Sequence, residues 1–281
     1  ASPDKFVSIH EQVLDEDEMM EEKKKADQKK GTFEVALETG EISLSSAEIE
    51  IAAEKDPEIK IEKLEALINS LPEKDAKLPG YLIELSKVCE QTKKLDRAAE
   101  ALKRVIENFP KYPRYYDVAL KLAEMYRMAN NLDEAIRFYR QIVQESPQYD
   151  KTEYVRYTLG TLYIQKQEYT YALEVFQELI DRYQDSLYAK KAQYEKGLVN
   201  ERYMKDYDAA IQDFENMVNR YFDHENAPDA QIEIGWIYEN AKYDLDRAKE
   251  AYNKALERFP NTPRRREIIE SIERITAKQP K

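Results

Sequence analysis

A sixteen-residue pattern, Leu95-Asp-Arg-Ala-Ala-Glu-Ala-Leu-Lys-Arg-Val-Ile-Glu-Asn-Phe-Pro110, returns as Leu132 to Pro147, Tyr169 to Gln184, Tyr207 to Phe222 and Leu245 to Pro260, with starts 37, 37, 38 and 38 residues apart. Such a period constrains the fold more than composition does, because a unit this short cannot bury its apolar face alone and must stack on its neighbours. In each copy a small residue (Ala98, Ala135, Ala172, Ala210 or Ala248) stands three or four positions before a larger apolar one, and a Pro or aromatic closes the segment. That spacing predicts a helix with one apolar face and a stop signal.

The pattern also predicts a helix before each copy: Tyr81 to Lys93, Tyr115 to Met128, Glu153 to Lys166, Ala189 to Met204 and Pro228 to Ala241. Val155, Leu159, Leu162 and Tyr163 form the apolar set of the third, and Ile232, Gly235, Trp236 and Tyr238 that of the fifth. Gly160, Gly197 and Gly235 occupy one equivalent point and account for half of the six glycines. A glycine inside a helix costs about 1 kcal/mol relative to alanine, so its placement predicts that the partner helix comes close. The two longer periods predict an extra residue between the helices, around Lys205-Asp206 and Lys242-Tyr243-Asp244.

These residues resemble the tetratricopeptide-repeat family, whose pattern W-x2-L-G-x2-Y…A-x3-F…P reappears as Leu159-Gly160-x2-Tyr163…Ala172-x3-Phe176 and as Gly235-x2-Tyr238…Ala248-x3-Tyr252…Pro260. Gly197…Ala210-x3-Phe214 gives the fourth copy, and Tyr126, Ala135-x3-Tyr139 and Pro147 the second, with Ala123 at the glycine point. The first copy keeps Ala98-x3-Leu102 and Pro110 but has Ser86 and Cys89 at the glycine and tyrosine points. The resemblance implies an all-α, right-handed α-solenoid of helix-turn-helix repeats with terminal capping helices. Its expected divisions are a charged segment 1–44, a degenerate helix pair 45–80, five repeats (81–114, 115–151, 152–188, 189–226 and 227–263) and a capping helix with its tail, 264–281. The connectors Asn108-Phe-Pro-Lys-Tyr-Pro113, Arg182-Tyr-Gln-Asp-Ser-Leu-Tyr-Ala189 and Arg258-Phe-Pro-Asn-Thr-Pro263 further resemble joints of bacterial envelope members, of the outer-membrane assembly lipoprotein and Tol-Pal coordinator type.

At the N-terminal flank, Asp15-Glu-Asp-Glu18 and Glu21-Glu22 run into Lys23-Lys24-Lys25 and Lys29-Lys30, blocks of the kind that stay solvated. Phe33, Val35 and Leu37 alternate, as in a short extended piece. Ser45-x-x-Glu48 reads as a capping box, and Asp56-Pro57 opens a helix with Ile61, Leu64, Leu67, Ile68 and Leu71 on one face. At the other end Thr262-Pro263 opens a helix carrying Ile268, Ile269, Ile272 and Ile275 on one side, as a solenoid's last unit requires. The arginines Arg264, Arg265 and Arg266 lie elsewhere on it.

Catalysis is not predicted, and neither are cofactors or metals. Both glycine-rich phosphate cradles are missing. His10 and His224 are far apart in sequence, and Asp223, His224 and Glu225 are adjacent residues whose side chains diverge. Asp206-x-Asp208 and Asp244-x-Asp246 lack the glycine and distal glutamate of a calcium loop and read as helix N-caps. Cys89 shares a face with Leu82 and Leu85 and reads as a small core residue; one cysteine forms no intramolecular disulfide. The 44 basic and 56 acidic residues give a net charge of −12, which argues against nucleic acid or an anionic membrane as the main partner. No stretch of about 18 uncharged apolar residues exists to cross a membrane, and residues near Ala1 lack the basic start and apolar run of a signal peptide.

What remains is recognition. In this family the first helix of each pair lines a concave groove, and counting around each helix from the Gly or Ala point leaves twelve candidates. They are Asp117, Glu124 and Arg127; Tyr154, Tyr157 and Thr161; Lys191, Tyr194 and Glu201; and Asp229, Trp236 and Glu239. Tyrosine outnumbers Phe and Trp together by 21 to 9, and it combines an apolar face with a hydroxyl at low conformational cost. Packing between repeats would explain those tyrosines equally well, and Trp236 fits a core as readily as a groove. The family's carboxylate clamp of Lys and Asn is not predicted, since Asn200 is the only asparagine near those points. The acidic residues suit a segment of basic character, extended or helical, lying along the groove. The resulting expectation is a non-catalytic protein-protein interaction scaffold or adaptor of a bacterial cell-envelope or periplasmic complex, possible at a membrane without spanning it. A structural subunit of a large assembly and a cytoplasmic chaperone or regulatory co-factor are the alternatives.

Overall fold

The computed structural model describes residues 45–278, and the charged blocks and extended piece expected within 1–44, together with the last residues of the tail, lie outside it. The described residues divide into two compact units, 45–67 and 68–278. In the first, α1 (Ser46–Ala53) opens with the expected capping box: the Ser45 N–H donates to Glu48 Oε2 at 2.6 Å and the Glu48 N–H to Ser45 Oγ at 3.3 Å. α2 (Pro57–Ser70) follows, with Asp56 Oδ1 accepting from the Glu58 N–H at 2.9 Å; Ile61 and Leu64 are buried.

The second unit is a run of helix pairs: α3 (Leu78–Gln91) with α4 (Leu95–Asn108), α5 (Tyr115–Met128) with α6 (Leu132–Glu145), and α7 (Thr152–Gln165) with α8 (Tyr169–Arg182). α9 (Leu187–Val199) pairs with α10 (Tyr207–Arg220), and α11 (Ala227–Asn240) with α12 (Leu245–Arg258), before α13 (Arg265–Lys278) ends the stack. Each helix packs on the next in the chain, as a solenoid requires. The repeated alanines Ala98, Ala135, Ala172, Ala210 and Ala248 are all fully buried where the two helices of a pair meet.

The glycines are explained by what faces them. A Cβ at Gly160 would lie 2.3 Å from the Phe176 ring, at Gly197 2.5 Å from Phe214, and at Gly235 2.6 Å from Tyr252. The ring of the A-x3-F motif therefore rests directly on the glycine backbone of its pair. Close approach, expected from the sequence, is the reason for the glycine.

Each first helix ends on a non-glycine residue in the left-handed region: Lys93, Asn130, Gln167, Lys205 and Tyr243, with φ between 56° and 61°. After the first three, the next N–H reaches back five residues, from Lys94 to Cys89 O, Asn131 to Tyr126 O and Glu168 to Tyr163 O, each at 2.8 Å. In the two longer repeats it reaches back six, from Asp206 to Asn200 O at 2.9 Å and from Asp244 to Tyr238 O at 2.8 Å. In the fifth repeat the extra residue lies in the connector 241–244, where the sequence placed it, whereas in the fourth it sits inside the last helical turn. In the fourth repeat that turn, Asn200–Met204, is π-helical. A widened turn keeps its carbonyls bonded, whereas a longer connector would expose them.

The connectors do their capping locally. Ser186 Oγ accepts from the Ala189 N–H at 3.1 Å, Asp206 Oδ1 from Ala209 at 3.0 Å and Asp244 Oδ1 from Arg247 at 3.0 Å, so Asp206 and Asp244 are N-caps, while Asp208 and Asp246 lie in the first helical turns. On α13, Ile268 and Ile275 are buried against Ala248, Tyr252 and Ala255. Ile269, expected on that same side, is 38% exposed, and Ser271 takes an inward place instead. At 100° per residue Ile269 turns away from Ile268, and Ser271, three residues on from it, turns back.

Candidate functional site

The twelve candidates fall at four register points of the first helices. Six residues before the glycine point stand Asp117, Tyr154, Lys191 and Asp229; three before it, Tyr157 and Tyr194; one after it, Glu124, Thr161 and Trp236; and four after it, Arg127, Glu201 and Glu239. Steps of three and four place these points on one stripe of each helix. Several of these side chains were expected to be spare for a ligand, yet the structure ties them into neighbouring repeats.

Glu124 is a hub. Its Oε1 accepts the hydroxyls of Tyr139, from the second helix of its own pair, and of Tyr154, from the next repeat, while its Oε2 accepts from Arg127 Nε at 2.9 Å. Burial, then the Glu124 charge, pushes both phenols well above the usual tyrosine range, which keeps them hydrogen-bond donors. Asp117 accepts from the Tyr149 hydroxyl at 2.7 Å and from Arg114 Nε at 3.3 Å. Tyr154 and Tyr157 both pack on Tyr188, with ring centroids 5.7 and 5.8 Å apart, and Tyr157 also meets Phe176 at 6.0 Å. The Thr161 hydroxyl turns back to Thr158 O at 2.7 Å.

In the last repeat, Glu239 is buried and takes two bonds of 2.9 Å from Arg274 of α13, plus the Tyr252 hydroxyl at 3.2 Å. Asp229 accepts from Arg264 Nη1 at 3.3 Å. Trp236, by contrast, is 41% exposed and belongs to the surface, and Lys191 is half-buried. Tyr194 packs against the core around Phe214, with ring centroids 5.8 Å apart.

Glu201 stands apart from the others. It is the second residue of the π-turn and 5% exposed, yet its Oε2 accepts no hydrogen bond. Burial first, and the Glu233 carboxylate second, push its carboxyl up to about 7. Its neighbour Asn200, near the points where the family's clamp would lie, is spent internally on Asp213 Oδ2 at 2.8 Å; Asp213 also holds Lys196 at 2.8 Å.

Sequence reasoning missed Glu233, Arg264, Arg274, Tyr139, Tyr149 and Tyr188. Glu233 lies two residues before Gly235, off the counted stripe, and the two arginines sit beyond the repeats. Only the pairing of helices shows that they reach back.

Among the described residues no group of three or more His, Cys, Asp or Glu could hold a metal ion. Cys89 is fully buried. The His224 Nδ1 accepts from the Asn226 N–H at 3.2 Å, and burial lowers its pKa. Among the described residues no helix is long and apolar enough to cross a membrane.

Family models described as tetratricopeptide repeat match residues 91–150, 126–194 and 229–262. Over residues 91–194 and 229–262 the repeats match tetratricopeptide repeats. The described residues of the second unit form an all-α solenoid of that fold, and TPR proteins generally act as non-catalytic mediators of protein-protein contact. A crystal structure of MamA protein is 24% identical, covers 66% of this chain and 93% of its own, and superposes with a TM-score of 0.51. A TPR protein from Parabacteroides merdae ATCC 43184 is 17% identical over 81% of this chain and 95% of its own, with a TM-score of 0.47. YrrB, a TPR protein with an unusual peptide-binding site, is 18% identical over 72% and 94%, also at 0.47. No curated protein matches the sequence.

Proposed function

We propose that this chain is a non-catalytic scaffold that holds a segment of a partner protein along the face of its first helices, within a bacterial cell-envelope complex. One observation carries the binding reading: a stripe of tyrosines, carboxylates and the exposed Trp236 runs in register over the first helices of four successive repeats. Much of the stripe is fixed by internal hydrogen bonds, which favours binding because side chains that are already ordered lose little entropy when a ligand arrives. The envelope reading is supported by the connectors alone, where Ser186 of the Arg182-Tyr-Gln-Asp-Ser joint caps the following helix.

The test is crosslinking and affinity capture from the native cell with the wild-type chain and with Trp236→Ala, alongside cell fractionation. The expected result is a protein captured by the wild type and at least tenfold depleted with the variant, in an envelope fraction. Failure to capture any protein over a range of salt would overturn the scaffold reading, and a purely cytoplasmic fraction would overturn the location.

A second reading, a self-associating subunit, is favoured by exposed aromatic surface: Tyr171 is 55% and Tyr203 48% exposed, and Tyr203 stacks on Tyr169 at 4.4 Å. Sedimentation distinguishes it, since a monomer at micromolar concentration rules it out.

A further inference from the structure

We propose that the buried carboxyl of Glu201, with Glu233 beside it, forms a pocket that takes the ammonium group of a lysine side chain from the bound polypeptide. This rests on the scaffold reading and names the chemistry that it selects.

The geometry begins with an acceptor that the protein leaves unsatisfied. Glu201 Oε2 is buried and receives no donor, although cations lie close. Every donor of Arg264 seen bonding is committed elsewhere: Nε at 2.9 Å and Nη2 at 2.7 Å to Glu267, and Nη1 to Asp229 at 3.3 Å and to Glu233 at 3.2 Å. A buried oxygen without a donor is destabilised by its lost hydration, so a state in which it gains one is favoured. The residue sits on the π-turn, a distortion that occurs often at functional positions.

The chemistry of the site favours a cation over a neutral donor. Burial and then the Glu233 charge raise the Glu201 carboxyl above its ordinary range, and burial, with Asp229 adding to it, raises that of Glu233. An ammonium placed between them reverses the effect of the Glu233 charge, whereas an amide does not. The single unsatisfied oxygen matches the point charge of a lysine, whereas the planar fork of an arginine calls for two acceptors side by side. The groups facing Glu201 are Glu233 on α11, Arg202 of the π-turn, Lys205 just after it and Arg264 ahead of α13.

Binding of a cation requires Glu201 to be ionised, so a proton leaves as the ligand enters. With the carboxyl near 7, about half a proton is released at pH 7, and affinity rises about tenfold from pH 6 to pH 8.

The test uses the blocked peptide acetyl-Ala-Ala-Lys-Ala-Ala-amide at millimolar concentration with the full chain carrying 13C-carboxyl glutamate. The expected result is a saturable shift of the Glu201 signal and proton release at pH 7, both missing with the Nε-acetyl-lysine peptide. Glu201→Gln, which keeps the shape of the side chain, is expected to weaken binding at least tenfold. An equal response to the acetylated peptide, no saturable response at all, or unchanged affinity in Glu201→Gln overturns the pocket. Capture of a partner by the wild-type chain reports separately on the scaffold reading, so the two can fail independently.

Discussion

Tyr154 donates its hydroxyl to Glu124 across 30 residues of chain, joining the first helices of the second and third repeats, and Tyr139 donates to the same oxygen. One carboxylate thus orders three helices, and what looked like a surface residue of one repeat is structural for two.

Removing that carboxylate leaves the Tyr139 hydroxyl, on a fully buried ring, without its acceptor. Glu124→Ala is expected to destabilise the chain by about 2–3 kcal/mol, while Tyr154→Phe, which removes only one donor, costs about 1 kcal/mol. Denaturant unfolding of both single variants and the double variant checks this. Additive losses would show that the network does not couple the repeats.

Gly160→Ala drives a methyl into the Phe176 ring, where the two would stand 2.3 Å apart. Overpacking of this kind costs about 1–3 kcal/mol, more than alanine gains over glycine in a helix. Adding Phe176→Leu should recover part of the loss, since the first repeat pairs Ser86 with Leu102 at the same two points. Thermal unfolding of Gly160→Ala that matches the wild type would refute the close-contact explanation.

Arg274 supplies two of the bonds held by Glu239, whose side chain is only 3% exposed. Arg274→Ala leaves that charge buried with one phenol donor, and an expected loss of about 3 kcal/mol falls on the C-terminal end. Hydrogen exchange should show α12 and α13 opening first while α5 to α8 stay protected. Uniform loss of protection would argue against a local role.

Glu201 gives a pH dependence with a definite sign. Its carboxyl keeps its proton up to about 7 in the folded chain but loses it near 4.5 when unfolded. Between those values the unfolded chain binds fewer protons, so stability falls as pH rises from about 4.5 to about 7 and is flat above. Shifts of this size amount to about 3 kcal/mol. Subtracting the Glu201→Gln curve from that of the wild type isolates this group from His224, whose lowered pKa acts in the opposite direction. A difference curve without slope between pH 5 and pH 7 would exclude the shift.

The sequence by itself determined the helices, their pairing and their phase. Ala98 and its four equivalents recur at helical spacing on one face, and Gly160, Gly197 and Gly235 mark where a partner ring must rest; both are local patterns repeated until chance is excluded. The capping signals of Ser45, Asp206 and Asp244 were legible for the same reason, since a cap bonds to backbone three residues away. Only the tertiary structure decided which polar residues of the stripe are spent. Glu124 is held by Tyr139 and Tyr154, and Glu239 by Arg274, from 15 to 35 residues away, whereas Glu201 is buried without a donor. Hydrogen bonds between repeats depend on side-chain reach and on how the last turn of a helix is wound. A single extra residue, absorbed as a π-turn and not as a longer loop, is what placed Glu201 inside.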